Sequence, residues 1–141
     1  MIIGTIDHLF IKPGHREEMI SVETIKLIQL KGIEGDASFG RNQRQILIVS
    51  HEVVDAYGLL PGALRENITV SQLDLNTIPP ETHLSIGDVV LEVTADCNPC
   101  NRLEELRVGL MHEIHGNRGI LARVLESGEI NTGQTITYES A

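Results

Sequence analysis

The sequence has 141 residues with 41% hydrophobic and 22% charged side chains, which is typical of a globular protein of one domain, since domains average ~100–200 residues. A net charge of -9, with two Tyr, two Phe and no Trp, argues against nucleic-acid binding, which needs a basic field and stacking aromatics. No run approaches the ~18 apolar residues of a membrane helix, and the N-terminus lacks a signal-peptide core, so we expect a cytoplasmic protein with no membrane partner.

Seven short β-like runs separated by turn residues predict strands along the chain. They are Gly4–Ile11, Val22–Leu30, Arg44–Val49, Asn67–Val70, Val89–Thr94, Gly119–Leu125 and Thr135–Tyr138. Strands that do not alternate regularly with helices indicate a mainly β fold, either a closed or a partly open β-barrel with a few short helices.

Two segments have helical patterns instead. The first is His51–Tyr57, with Ser50 as its N-cap. The second and stronger runs over Arg102–Ile114, where Asn101 can cap the helix and Glu104 stands in the capping-box position. The sequence therefore predicts one short helix and one longer continuous helix.

Both cysteines lie in the stretch D-C-N-P-C-N, between a predicted strand and the longer predicted helix. Cys100 immediately precedes the capping residue, where free backbone N–H groups favour a thiolate, so we expect Cys100 to be the nucleophile rather than Cys97. A thioredoxin-type oxidoreductase is disfavoured, because the motif comes late in the chain and no proline follows it. Zinc remains an alternative, since Cys97, Cys100, His112 and His115 have a spacing close to that of a Cys2His2 finger.

After Lys31 every Lys or Arg in the chain is Arg, whose planar guanidinium suits phosphate and carboxylate groups. An oxyanion site is one interpretation of this pattern, and salt bridges to the many acids are the other. Two further stretches, Gly32–Gly40 and Leu64–Val70, have the composition of shaped loops, although each alone is also typical of an ordinary turn.

Six segments in this order resemble a stand-alone MOSC domain, the family named for the C-terminal domain of molybdenum cofactor sulfurases. They are G-I-E-G-D (Gly32–Asp36), R-Q-I-L-I-V (Arg44–Val49), L-R-E-N-I-T-V (Leu64–Val70), I-G-D-V-V-L-E-V-T (Ile86–Thr94), N-P-C-N-R (Asn98–Arg102) and N-R-G-I-L-A-R-V-L (Asn117–Leu125). The resemblance implies a single MOSC domain over residues 1–141, with a β-barrel similar to that of pyruvate kinase.

The resemblance also implies chemistry for Cys100, which would carry sulfur as a persulfide or ligate molybdenum. The protein would bind molybdenum cofactor (molybdopterin) or carry sulfur for metal-sulfur chemistry; alternatively, it would be a molybdenum-dependent reductase of N-hydroxylated compounds. Cys97 would be a resolving thiol that releases sulfur through an internal disulfide.

By analogy, cofactor-binding roles fall to Gly35, Asp36, Ser38, Arg44, Glu66, Asn67, Arg102, Arg118 and Arg123. Ser38 stands where many relatives have His or Arg. The chain has no room for the pyridoxal-phosphate cysteine desulfurase domain of the fused sulfurases, so a separate cysteine desulfurase or other sulfur donor is the expected partner. The reductase alternative also requires an electron-transfer partner.

Overall fold

A computed structural model of the protein describes residues 1–140 and consists mainly of β-strands. The strands are β1 (Ile2–Ile11), β2 (Ile20–Val22), β3 (Thr24–Ile28), β4 (Gly32–Ile33), β5 (Ile46–Ser50), β6 (Ile68–Ser71), β7 (His83–Ile86), β8 (Val89–Asp96), β9 (Ile120–Glu126), β10 (Gly128–Asn131) and β11 (Thr135–Tyr138). The helices are α1 (His51–Ala56), α2 (Leu103–Leu106) and α3 (Leu110–Glu113), with a 3-10 turn at Leu75–Thr77. Within residues 1–140, none of the helices has the length and apolar character needed to cross a membrane.

Seven of the strands close into a barrel, which confirms the predicted fold class. Their order is β11-β7-β8-β9-β5-β6-β1, and pairing of β1 with β11 completes the circle. The pair β5–β6 is parallel and the other barrel pairs are antiparallel. Closure matters because it leaves no long unpaired edge along the barrel wall.

Strand β5 serves two hydrophobic cores because alternate side chains of a strand point to opposite faces. Ile46 and Ile48 pack in the larger core, together with residues from the other barrel strands. Val49 and the half-buried Leu47 pack in a second core, which the three helices cover. The helical layer is therefore fixed against the face of β5 that carries Leu47 and Val49.

The predicted continuous helix over Arg102–Ile114 is wrong, because the structure breaks it into α2 and α3. Gly109 lies between them with φ +89°, a left-handed conformation that a helix cannot continue through. Asn101 does not cap α2, and the Glu104 carboxylate instead accepts hydrogen bonds from the backbone N–H groups of Gly109 and Met111. These two bonds lower the pKa of Glu104, so its charge caps the second helix.

The shorter predicted helix is confirmed to within one residue, and the Ser50 hydroxyl accepts a hydrogen bond from the N–H of Val53 as a helix cap should. All seven predicted strands are present with shifts of a few residues at their ends. Four strands of two to four residues, β2, β4, β7 and β10, were not predicted. Strands of this length contain few alternating positions, so their sequence signal is weak; β6 and β11, with four residues each, were nevertheless predicted.

Gly119, at the start of β9, holds together several segments near the cysteines. Its carbonyl accepts the N–H of Cys97 at 2.9 Å, and its own N–H donates to Asn76 Oδ1 at 3.2 Å. Its φ is +111°, and a Cβ atom at this position would overlap the carbonyl oxygen of Ile48. Glycine is required here for both its conformation and its lack of a side chain.

We predict that Gly119→Ala lowers the free energy of unfolding by about 2–4 kcal/mol, because backbone strain and a steric overlap combine. Gly116→Ala is the matched control, since Gly116 also has positive φ (+87°) but a Cβ there meets open space in the described chain. The control should lose about 1–2 kcal/mol from strain alone. Urea unfolding of the two variants measures the difference, and equal losses would contradict the steric account.

His51 opens α1 and lies between two carboxylates. Its Nδ1 is 2.8 Å from Asp7 Oδ2, and its Nε2 is 3.7 Å from Asp55 Oδ1. The hydrogen bond to Asp7 raises the pKa of His51 more than burial lowers it, and the charges of Asp55, Asp7 and Glu52 add to the increase. The protonated imidazolium is therefore more stable in the folded chain than in the unfolded one.

We predict that this stabilisation is fully present below about pH 6.5, the ordinary histidine pKa, and is lost as the pH rises through the higher pKa of the folded state. Asp7→Asn should remove most of this pH dependence, because it removes the hydrogen-bonded negative charge. Urea unfolding of the wild type and the variant between about pH 5 and pH 8 is the measurement. Parallel pH profiles for the two proteins would refute the assignment.

Candidate functional site

A cleft of about 600 Å³ opens beside α2 and is lined by both cysteines. Within residues 1–140, six basic residues line it and only two acidic ones, Glu18 and Glu105, do so. The six are Lys12, Arg41, Arg44, Arg65, Arg102 and Arg118. They are more than half of the 11 Lys and Arg residues of a chain whose net charge is -9. The cleft, called the cationic cleft below, is therefore a local positive field on an acidic protein.

The cations of this cleft disfavour one another's charge. Burial is the main cause that lowers the pKa of Lys12, and the neighbouring Arg65, Arg41 and Arg102 lower it further, against the opposing effect of Asp36. Burial and then the charge of Arg102 likewise lower the pKa of Arg65. An anion in the cleft would relieve this repulsion, so the electrostatics favour a negatively charged ligand.

Arg118 is the most deeply placed of these cations, with 6% of its surface exposed. Its Nη2 donates to the carbonyl of Leu64 at 2.7 Å. Its Nε and Nη1 are buried and have no hydrogen-bond partner among the described residues. A buried donor of a charged group that lacks a partner costs about 1–3 kcal/mol or more, so these two N–H groups are free to hold a ligand oxyanion.

Asp36 ties the glycine loop to the barrel and brings two residues to the cleft edge. One carboxylate oxygen accepts the N–H of Lys12 at 2.7 Å and the side-chain amide of Asn67 at 2.9 Å. The other accepts the N–H of Ser38 at 3.0 Å. The carboxylate is buried and fully engaged by the protein, so Asp36 positions Lys12 and Ser38 and does not itself line the cleft.

Asn67 is the second part of this network and does line the cleft. Its side-chain amide also donates to the carbonyl of Phe10 at 3.2 Å, and its Oδ1 accepts the N–H of Leu47 at 3.1 Å. One buried side chain thus connects β1, β5 and the glycine loop.

The other residues implied by the MOSC resemblance divide into two groups. Ser38, Arg44, Asn67, Arg102 and Arg118 line the cationic cleft, whereas Gly35, Asp36, Glu66 and Arg123 do not. Arg123 instead pairs with Glu92 at 2.7 Å across β8 and β9. Glu66 is fully buried and accepts hydrogen bonds from the N–H of Gly62 and the hydroxyl of Thr69, so it supports the loop that carries Leu64 and Arg65.

Sequence reasoning missed Lys12, Arg41 and Arg65 as cleft residues. Arg41 and Arg65 border the two motif loops, and proximity to those motifs was the available signal. Lys12 follows β1 and has no motif of its own; its N–H donates to Asp36 and its carbonyl accepts the N–H of Ala37, and these two bonds hold it at the cleft.

The two cysteines differ in exposure although both line the cleft. Cys100 is exposed, whereas Cys97 has 8% of its surface exposed and its Sγ lies 3.8 Å from the carbonyl of Asn98. His112 and His115 are exposed and lie outside the cleft lining. In the described part of the chain, no three His, Cys, Asp or Glu side chains are arranged to hold a metal, so the predicted zinc set is not brought together.

Comparison with known families decides the classification. The sequence model of the MOSC domain matches residues 35–137. The chain belongs to the MOSC domain family. This confirms the resemblance drawn from the six sequence segments. Among curated proteins, none matches the chain.

Solved structures share the fold of this MOSC domain. The YuaD protein from Bacillus subtilis superposes with a TM-score of 0.81 at 22% identity, covering 96% of this chain and 94% of that one. YiiM from Escherichia coli gives a TM-score of 0.73 at 17% identity, with 95% and 70% covered. YiiM from Geobacillus stearothermophilus gives 0.75 at 18% identity, with 97% and 75% covered. At these identities the likeness establishes the barrel fold.

We predict that phosphate stabilises the MOSC domain relative to chloride at equal ionic strength, because it offsets repulsion among the cleft cations. The melting temperature should rise by about 2–5 °C at concentrations well above the dissociation constant. Arg44→Gln, which removes an exposed cleft cation, should reduce this increase. Lys26→Gln is the control, since Lys26 is a surface residue paired with Glu129 outside the cleft. Equal phosphate effects in both variants would argue against binding in the cleft.

Proposed function

We propose that this MOSC domain binds molybdenum cofactor in the cationic cleft and uses Cys100 as the reactive sulfur beside it. The observation that carries the proposal is Arg118, whose buried guanidinium keeps two nitrogens, Nε and Nη1, unpaired among the described residues. A phosphate group is a ligand that a guanidinium binds well, and the cofactor bears a phosphate. The association of the MOSC family with this cofactor supports the choice of ligand class.

The side chains of the cleft divide into fixed and free cations. Arg65 donates to the carbonyls of Gly14 and His15, and Arg102 also donates to that of His15, so both are partly engaged by the protein. Within residues 1–140, the side chains of Arg41 and Arg44 have no hydrogen bond or ion pair. Arg118 would anchor the phosphate at depth, and these free arginines would close over the rest of the ligand.

Among the described residues, Cys100 is the exposed thiol of the cleft, and the half-buried thioether of Met19 is a second soft donor in its lining. When bound, the cofactor would supply two-electron redox chemistry at molybdenum, and Cys100 would meet that metal as a thiolate or bring sulfur to it. The other polar groups of the lining are mainly cations and amides, which bind oxyanions, together with Ser38 and the hard carboxylates of Glu18 and Glu105. The residue set therefore fits a cofactor that carries most of its own metal ligands.

The exposure of Cys100 favours a sulfur-carrying role. Its thiolate would attack the terminal sulfur of a persulfide on a donor protein, such as a cysteine desulfurase. The new bond joins Cys100 Sγ to that sulfur, the donor's S–S bond breaks, and the donor leaves as a thiolate. The surrounding arginines would stabilise the persulfide anion on Cys100 through their charge.

A second candidate is the molybdenum-dependent reductase of N-hydroxylated compounds, with Cys100 as a permanent metal ligand. The observation favouring it is that the same exposed thiol lines a cleft of about 600 Å³. This activity would require an outside electron donor, which the carrier role does not. Persulfide on Cys100 therefore separates the two candidates.

We predict that the protein, purified without oxygen from a molybdenum-sufficient host, contains both molybdenum and pterin. Arg118→Gln should reduce both by about tenfold, because losing a charge-assisted bidentate contact costs ~1.5–3 kcal/mol. Cys100→Ala should lose molybdenum or sulfur while retaining more of the pterin. Metal analysis and pterin fluorescence after oxidation are the measurements.

Arg123→Gln is the matched control, since it removes an arginine that lies outside the cleft. Arg44→Gln provides a surface variant of the cleft in case Arg118→Gln is poorly folded, which circular dichroism would reveal. Equal cofactor content in the Arg44, Arg118 and Arg123 variants would overturn the proposed binding site. Absence of pterin from the wild type after incubation with a cofactor-containing extract would overturn cofactor binding itself.

A further inference from the structure

We infer that Cys97 is the thiol that discharges Cys100: it attacks the persulfide held there and releases its outer sulfur into the cationic cleft. This inference rests on the proposed sulfur-carrying role of Cys100. It assigns a catalytic role to a buried side chain. It predicts that the loaded domain releases sulfide without another protein, and that a dithiol reductant then returns the disulfide to two thiols.

The first supporting observation is the unequal exposure of two thiols that line one cleft. Cys100 is open to solvent, whereas Cys97 is buried at 8% exposure. A donor protein can therefore reach Cys100 but not Cys97, and loading is confined to one of the two sulfurs. A second thiol that lines the same cleft but is shielded from the donor is suited to act after loading.

The second observation concerns the backbone between the thiols. The N–H of Cys97 is fixed to the carbonyl of Gly119, and the carbonyl of Cys100 accepts the N–H of Leu103. Between these two anchors the segment is neither helix nor strand, and within residues 1–140 neither the N–H of Asn98 nor that of Cys100 donates a hydrogen bond.

A disulfide needs the two Cα atoms within about 7 Å, and the spacing of two intervening residues is the one that thioredoxin-like proteins close reversibly. Bending the segment to that distance breaks no backbone hydrogen bond donated by Asn98 or Cys100. The thiol of Cys97 has only a weak contact with the carbonyl of Asn98 to give up. Little therefore opposes closure.

The chemical step balances. Cys97 Sγ forms a bond to Cys100 Sγ, and the bond between Cys100 Sγ and the outer sulfur breaks with its electron pair going to the outer sulfur. The proton of the Cys97 thiol leaves with that sulfur, so the products are the Cys97–Cys100 disulfide and hydrogen sulfide. The outer sulfur is reduced and the two cysteine sulfurs are oxidised. A dithiol reductant must then return the disulfide to two thiols.

The cationic cleft retains the released sulfur, because that sulfur leaves as an anion. Hydrosulfide formed between Lys12, Arg102 and Arg118 is retained by their charges beside any anionic ligand held there. The buried cysteine and the anion site thus serve one sequence of steps.

The test uses the whole reduced protein, inorganic polysulfide as the sulfur source, and intact mass under anaerobic conditions after removal of excess polysulfide. In Cys97→Ser we expect a stable gain of one sulfur atom. In the wild type we expect that gain to disappear at least about tenfold faster, because a thiol so near in the chain acts at a high effective concentration. Its loss should coincide with release of one equivalent of sulfide and disappearance of both alkylatable thiols.

The outcomes separate the inference from the proposal beneath it. Equal retention of sulfur in the wild type and Cys97→Ser would overturn the discharging role of Cys97 while leaving sulfur carrying intact. Failure of Cys97→Ser to take up sulfur, with circular dichroism showing a folded protein, would overturn sulfur carrying and the inference with it. Cys100→Ser should take up no stable sulfur; if it gained sulfur on Cys97, the assigned direction of transfer would be wrong.

Discussion

The hydrogen bond from the amide of Asn67 to the carboxylate of Asp36 is the contact on which the cleft depends. It joins Asn67, which stands directly before β6, to the glycine loop. The same two side chains also bind the backbones of Phe10, Lys12, Leu47 and Ser38. Buried charges are tolerated only when hydrogen bonds satisfy them, and here three donors from separate segments do so. Order in the glycine loop and the position of Lys12 at the cleft therefore depend on the same network.

The barrel supplies rigidity, and the cleft uses that rigidity to hold like charges together. Lys12 and Arg65 are less easily charged in this cleft than in water, and Arg118 keeps unpaired donors below the surface. Such an arrangement lowers stability in the absence of a ligand and raises affinity for an anion, because the repulsion is relieved on binding.

The sequence predicts the barrel well because long alternating strands carry their signal locally; β8 and β9 are examples. The sequence predicts one helix where the structure has α2 and α3. The apolar periodicity from Leu103 to Ile114 is present, but Gly109 adopts a left-handed conformation that ends the helix, and Glu104 caps α3 instead of its own helix. In the site, family motifs indicate Asn67 and Arg118 correctly as cleft residues. The sequence does not indicate which cations line the cleft, because tertiary partners decide it. Asp36 binds the backbone of Lys12 and holds it at the cleft, whereas Glu92 pairs with Arg123 away from the cleft.

The two cysteines and Arg118 are linked through one strand junction. Gly119 follows Arg118 directly, and its carbonyl holds the backbone of Cys97, so the buried thiol and the deepest cation are fixed to the same turn of chain. Cys100 is separated from that turn by Asn98 and Pro99, a segment outside helix and strand. This difference in attachment suits sulfur chemistry in which one thiol reaches a partner and the other stays beside a bound anion. The carbonyl of this glycine, at a position where no side chain fits against Ile48, therefore holds the backbone of Cys97 in place.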